Sequence, residues 1–511
     1  MRADEREEGL VLKIPVIRAG LPQWLALAVL TLPVLLIAVD STVLGFAVPA
    51  LTEALRPSGV QLLWIVDIYS FMLAGLLVTM GTLGDRIGRR RLLLIGSAGF
   101  GAASALTAYS SSPEMLIAAR AVLGCAGATL MPSTLSILRH LFHNARQRRL
   151  AIAIWSATAS GGAALGPILG GFLLEHFWWG SVFLINAPVM VLILIAAPLL
   201  VPESKDPHPG KYDLPSAALS LAAILPVIYG IKMLAADGPA PMPAFSLVVG
   251  LLLGAAFIRR QKRLADPMID VRLFTNATFS AGVVINLFSV FALVGVFFVV
   301  TQYLQLVLGL GPLEAALWLM PAMVAEALSA LAGVWLVRLM PLNRAVCLGL
   351  VLAGAGIGLS TLTASHPFPG IIFVGFLLLG LGSGLAYALS NDAIIAAVNP
   401  ERAGAAAAVS ETAYELGAAL GVAILGTVLN TGYRSGFLPG AGVSTVTASQ
   451  ARETLGAARV LAESLPLDQA TLLMDAGRSA FLNGMFAVGL VAVTILGGTA
   501  IFSLFWFREK N

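Results

Sequence analysis

Gly81-Thr82-Leu83-Gly84-Asp85-Arg86-Ile87-Gly88-Arg89-Arg90-Arg91 is a short polar interruption between two apolar runs, 61–81 and 92–109. Each flanking run reaches the roughly 18 residues that mark a transmembrane helix candidate. Small residues at 81, 84 and 88 let two helices turn back on one another closely. Asp85 can cap a helix N-terminus or pair with a nearby arginine. The four arginines fasten such a turn to an anionic cytoplasmic membrane surface. A loop that served only to set topology needs the arginines but not this Gly/Asp spacing.

Outward from that turn, the same alternation of apolar run and charged break fills the chain. Of 511 residues, 58% are hydrophobic and 11% charged, and the mean hydropathy is +0.90, whereas a soluble chain carries roughly a quarter charged residues. This excludes a water-soluble enzyme, a nucleic-acid-binding domain and a disordered chain. Fourteen candidate spans follow: 24–47, 61–81, 92–109, 114–138, 150–173, 180–200, 214–233, 244–259, 279–304, 313–337, 344–363, 370–391, 404–430 and 481–507. Only 244–259 is marginal in length. The two cysteines, Cys125 and Cys347, lie inside apolar runs, so neither a disulfide framework nor a metal site is expected.

With the N-terminus (1–20) placed in the cytoplasm, 24 of the 31 Lys and Arg residues fall in inside segments. Six fall outside (Arg56, Lys232, Arg434, Arg452, Arg459 and Arg478), and Arg120 lies within a span. The positive-inside rule then sets both termini in the cytoplasm. The first residues have no small-residue cleavage site and do not read as a removable leader. Segment 201–213 is polar and proline-rich, a linker after six spans, and 201–278 adds spans 7 and 8 with a cytoplasmic loop. Residues 432–480 form a long outside loop. Within it, 448–463 and 466–479 have the helical spacing of an amphipathic hairpin.

Ionisable residues inside a bilayer cost about 2.5–3.5 kcal/mol each at mid-helix, so they face a cavity or a partner. Six stand in the spans: Asp40, Asp67, Arg120, Glu326, Glu411 and Glu415. Five acids against one base leave several carboxylates able to exchange a proton or to pair with a cationic ligand. Glu411 and Glu415 are four apart and share a helix face, where mutual repulsion favours holding at least one proton. Arg120 needs acceptors within the bundle, and Asp40 is the natural partner. Trp64, Tyr69, Phe71, Tyr303, Trp318, Tyr387 and Tyr414 accompany the acids. Carboxylates and aromatic faces together suit a lipophilic cation, although Trp and Tyr also form interfacial belts in any membrane protein.

The loop 81–91 resembles the signature loop of the major facilitator superfamily. Arg120-Ala121-Val122-Leu123-Gly124 resembles that family's second motif, whose arginine is implicated in proton transfer. Gly161 to Gly171, with Gly162, Gly166, Pro167 and Gly170, resembles the antiporter motif of drug exporters. Val39-Asp40-Ser41-Thr42-Val43 with Ala47-Val48-Pro49 resembles the motif of the fourteen-span drug:proton antiporter branch. Trp64 to Ser70, His176 to Asn186 and Glu411 to Gly417 are similar to the SmvA/QacA type. The resemblance covers essentially the whole chain. Ser410 stands where such proteins can carry a further acid, and the second half has only a faint counterpart of the signature loop, Gly333 to Arg344.

The resemblance implies an all-α polytopic membrane protein of the major facilitator fold: two six-helix bundles, 21–200 and 279–511, with two inserted central helices. It implies a proton-coupled antiporter exporting quaternary ammonium compounds, biguanides and cationic dyes from the cytoplasm across the cell inner membrane, working as a monomer. Proton coupling and substrate binding would fall to Asp40, Asp67, Glu326, Glu411, Glu415 and Arg120. Aromatic contacts would come from Trp64, Tyr69, Tyr303, Trp318 and Tyr414. Gly81, Asp85, Arg86, Gly88 and Arg89 would latch conformations at the cytoplasmic face. Lipids, protons and small cationic drugs are the expected partners, and nucleic acid is not. No cofactor or ATP is expected, since nothing resembles a phosphate-binding loop. A facilitator for a neutral or anionic metabolite would carry more buried Arg and Lys than acid. A signalling or structural membrane protein would not need intramembrane acids at all.

Overall fold

A backbone in hydrocarbon must satisfy its own N–H and C=O groups, and here it does so by helices. The computed structural model describes residues 19–205, 213–238, 240–264, 267–361, 369–398, 403–438 and 444–506, and every regular element among them is helical. In order these are α1 (Leu21–Leu55), α2 (Gly59–Ile87), α3 (Arg89–Ala108), α4 (Pro113–Leu141), α5 (Ala145–His176), α6 (Ser181–Leu184), α7 (Asn186–Leu200), α8 (Leu214–Asp237) and α9 (Pro241–Arg263). There follow α10 (Ala277–Gln302), α11 (Pro312–Leu336), α12 (Leu342–Thr361), α13 (Pro369–Ala396), α14 (Ala403–Gly436), α15 (Thr445–Ala451), α16 (Leu455–Ala462) and α17 (Leu467–Trp506). Among the described residues fourteen helical segments are long and apolar enough to cross a membrane, with α6 and α7 together forming one.

Local chemistry sets several starts. Ser58 accepts from the Gln61 amide at 3.2 Å while the Gln61 side chain accepts from the Ser58 amide at 2.9 Å, a reciprocal cap on α2. Ser112, Asn144 and Asn276 cap α4, α5 and α10 in the simpler way.

The helices pack into two halves. In the first, α1 lies on α5, α2 on α4, and α3 on α4 and α7; in the second, α10 lies on α14, α12 on α13 and α17, and α11 on α13. The inserted pair α8–α9 packs together, and α8 also touches both α2 and α14, so it sits in the seam between halves. Up-and-down threading collects 85–91, 139–148 and 259–263 on one face, called here the basic face. Helices α15 and α16 cover the opposite, hairpin face. The expected hairpin is not formed as two arms: its second arm, 466–479, is the start of the 40-residue α17, because after Pro466 no proline breaks the chain before the span that follows and Gly477 is taken up within the helix.

Candidate functional site

Asp40 lies mid-way along α1, and its surroundings follow from glycines on α5. A Cβ at Gly166 would stand 3.0 Å from the Val39 carbonyl oxygen and would collide with the Thr42 hydroxyl. Only glycine there lets α5 lie flat against the turn that carries Asp40. Gly124 does the same for α4 on α2, where a Cβ would meet the Tyr69 carbonyl oxygen at 2.5 Å. One turn away, Arg120 therefore reaches across the half. Its Nη1 lies 3.3 Å from Asp40 Oδ2, and its Nη2 donates to the Val66 carbonyl at 3.3 Å. The guanidinium also stands 5.1 Å from the Tyr69 ring and 5.7 Å from that of Phe183. Asn186, which donates to the Ser104 hydroxyl at 2.9 Å, is a second polar neighbour of Asp40. The asparagine was not singled out in the sequence; a lone amide in a span was the available signal.

Glu326 (α11), Glu411 and Glu415 (α14) form a second group in the other half. All three act electrostatically on Tyr387 and Tyr414, whose rings meet edge to face at 5.5 Å. Glu415 stands beside Ser70 on α2, and Tyr69 is within electrostatic reach of both Asp40 and Glu415. Tyr69 thus neighbours both acidic groups. Among the described residues none of these three glutamates forms an ion pair with Lys or Arg. Beside them, Asn286 donates to the Ser410 hydroxyl at 2.8 Å, which donates to Asn391 Oδ1 at 2.7 Å. This buried neutral chain occupies the place where a further acid was considered.

Asp67 is not left bare. It has a fixed cationic partner: Lys232 Nζ lies 2.8 and 3.0 Å from its two carboxylate oxygens, and 3.9 Å from the Trp64 ring centroid. Lys232 belongs to α8 and is buried, not outside the membrane as its place near a span end implied. Among the described residues Lys232 thus joins Arg120 as a second buried base against the five acids named from the sequence. Of the other aromatics, Phe71 packs in the α2–α8–α14 contact. Tyr303 is fully buried where α10 ends in a π turn, and Trp318 stands edge-on to Phe373 at 6.1 Å, about two turns from Glu326. The structure does not bring these three into the glutamate group.

At the basic face, Gly88 turns the chain at φ +110°, a conformation that favours glycine. Arg89 pairs with Asp85 at 2.8 Å within the loop. Glu203, read from sequence as linker solvation, instead caps α3: its two oxygens accept from the Arg90 and Arg91 amides at 3.1 and 3.2 Å. Gly81 lies 3.5 Å, by its would-be Cβ, from Pro132 on α4, joining the loop to the motif helix.

Direct contacts between halves crowd toward the hairpin face. Gly59 meets Asn430, Gly426 meets Leu63, Gly45 meets Phe297, and Gly171 meets Leu313. Gln305 donates to the Phe46 carbonyl at 3.3 Å. The α2–α14 seam runs from Gly59 down to Ser70 and Glu415. Glu411 is one turn nearer the basic face and only half-buried.

Residues 30–422 match the Major Facilitator Superfamily. The chain is 47% identical to the multidrug efflux pump LfrA of Mycolicibacterium smegmatis over 473 residues, 93% of this chain and 94% of that protein. It is 40% identical to the methyl viologen resistance protein SmvA of Salmonella typhimurium over 475 residues, 90% of this chain and 93% of that one. In fold it is similar to a bacterial homologue of the human lysosomal transporter Spinster in its inward-facing, unoccupied form: TM-score 0.67 at 15% identity, over 96% of this chain and 100% of that one.

Proposed function

The chain belongs to the major facilitator superfamily, and from that premise we propose that it exports lipophilic cationic compounds in exchange for protons by alternating access. Its family members are transporters, not enzymes. The names of its relatives support drug export, and one of them, a methyl viologen resistance protein, concerns a cationic compound. The observation that carries the cation reading is the glutamate group: Glu326, Glu411 and Glu415 share the Tyr387–Tyr414 pair, with no Lys or Arg ion-paired to them among the described residues.

In this reading the basic face and both termini are cytoplasmic, and the chain works as a monomer in the inner membrane. With the hairpin face closed, a cation from the cytoplasm first meets Glu411 and then the tyrosine faces, where charge pairing and cation–π attraction hold it. Rocking the halves opens the Gly59–Asn430 seam outward. Protons arriving on the Glu411/Glu415 pair remove the negative charge and discharge the cation. Asp40 takes part by exchanging its Arg120 contact for a proton, and the return swing releases protons to the cytoplasm. The driving force is the proton gradient, without ATP or a bound cofactor. The arginine loop around Asp85 latches the basic face when it closes.

Everted membrane vesicles given an ethidium-like dye in the external medium test this. Dye pumping should stop when the pH gradient and membrane potential are collapsed, and pumping that continues refutes proton coupling. Asp40→Asn and Glu411→Gln should each abolish pumping, and full activity in both would remove these carboxylates from the mechanism.

A further inference from the structure

Trp64 and Asp67 are three residues apart on α2, so an indole face and a carboxylate look out from the same side of the helix. Together they are the two groups that recognise an organic ammonium, one by cation–π attraction and one by charge. Both are engaged by an ammonium already, the chain's own Lys232. The ion pair is fully buried, and the lysine comes from α8, a helix that lies in the seam between the halves.

The way α8 docks keeps the lysine on α2. Leu221 fills the space over Gly75, where a Cβ would clash with it, and the Ser220 hydroxyl lies 3.4 Å from the Gly75 carbonyl. Ile224, Leu225 and Ile228 continue the contact onto Phe71 and onto Ala419 and Ala423 of α14. Just above Lys232, a cavity of about 20 Å³ between Gly59, Leu63, Thr427 and Asn430 separates the pair from the hairpin face. When α14 leaves α2, this pair lies beside the opening route by which a cargo would depart.

A buried ion pair contributes little net stability compared with an apolar pair of the same volume, so packing alone does not call for charge at both positions. We propose that Lys232 is a tethered cation that fills the Trp64–Asp67 site and so denies it to the transported cation on its way out. The inserted helix pair thereby acts on specificity and release. The inference rests on the export reading above. It makes Lys232 a positioning residue: it works by occupying Asp67.

The test is equilibrium binding of tetraphenylphosphonium to the purified full-length protein. Lys232→Gln should tighten binding about tenfold, the worth of a carboxylate and an aromatic face made available. The double variant Asp67→Asn/Lys232→Gln, which removes both charges together, should return the affinity to that of the wild type. Lys232→Arg keeps the tethered charge and should also bind like wild type. A Lys232→Gln affinity within twofold of wild type would overturn the proposal. So would a gain that survives in Asp67→Asn/Lys232→Gln, or a gain of the same size in Lys232→Arg. Should Lys232→Gln not fold, Lys232→Met together with Asp67→Asn and Lys232→Arg carry the comparison: both should match wild type, and tightening in either refutes the role. A wild-type protein that does not bind the cation refutes the export reading itself, and the role of Lys232 with it.

Discussion

Arg120 Nη1 stands 3.3 Å from Asp40 Oδ2, and both side chains are shut away from solvent. Removing the base alone leaves a buried carboxylate without its cation, a change that costs about 3–5 kcal/mol. Arg120→Ala should therefore lower the thermal midpoint of the purified protein sharply. Asp40→Asn/Arg120→Ala should recover much of that loss without recovering dye transport. Arg120→Lys should fall between, because one ammonium cannot reach both Asp40 and the Val66 carbonyl as the guanidinium does.

The α1–α5 contact makes a compensating pair. Gly166→Ala places a methyl against the Thr42 side chain and 3.0 Å from the Val39 carbonyl. Overpacking of this kind costs about 1–3 kcal/mol. Transport by Gly166→Ala should be reduced, and Thr42→Ala in the same chain should restore part of it, since the nearest obstructing atom is then gone. Vesicle dye pumping in the two variants measures this directly.

The hairpin face bridges the halves at Thr52 and Gly456, where a Cβ on Gly456 would lie 3.2 Å from Thr52 Cβ. A small relaxation brings that separation to the 3.5–4.5 Å of a disulfide. In a background with Cys125 and Cys347 replaced by Ala, Thr52→Cys/Gly456→Cys should cross-link under oxidation and stop transport. Reduction should restore it. Full transport by the cross-linked protein would mean that this face does not open.

Asp213, at the basic-face end of α8, accepts from the Ser216 amide at 3.1 Å and from Arg260 at 2.7 Å. Partial burial works against its charge, but the hydrogen bonds from Ser216 and Arg260 outweigh it and hold the carboxyl below the ordinary 3.8. The lowered pKa means this stabilisation is complete above the ordinary value and fades as pH falls through the lower folded one. Asp213→Ala should cost about 0.5–2 kcal/mol at neutral pH. The difference from wild type should shrink in acid, and thermal melts at pH 7 and pH 3 read it.

Charge in a bilayer is expensive wherever it occurs, so Asp40, Arg120, Glu326, Glu411 and Glu415 announced themselves in the sequence without any structure. Gly166 and Gly124 were legible as motif residues, although what they press against was not. Lys232 was missed because a lysine five residues from the end of its helix can snorkel to the headgroups. Only the docking of α8 on α2 turns it inward. Glu203 was missed for a similar reason. A glutamate in a polar linker reads as solvated until the first turn of α3, more than a hundred residues earlier, comes to rest beside it. The fold was written in periodicity and breaks; the pairings were written in tertiary approach.

The central claim is that cation and proton exchange on the glutamates of α14. Proteoliposomes of purified protein, with a pH-sensitive dye trapped inside, test it by proton movement in response to an imposed gradient of a permanent cation. Wild-type protein should move protons opposite to the cation, and Glu411→Gln/Glu415→Gln should move none. Cation flux without proton movement in wild type, or undiminished proton movement in the double variant, would contradict the account.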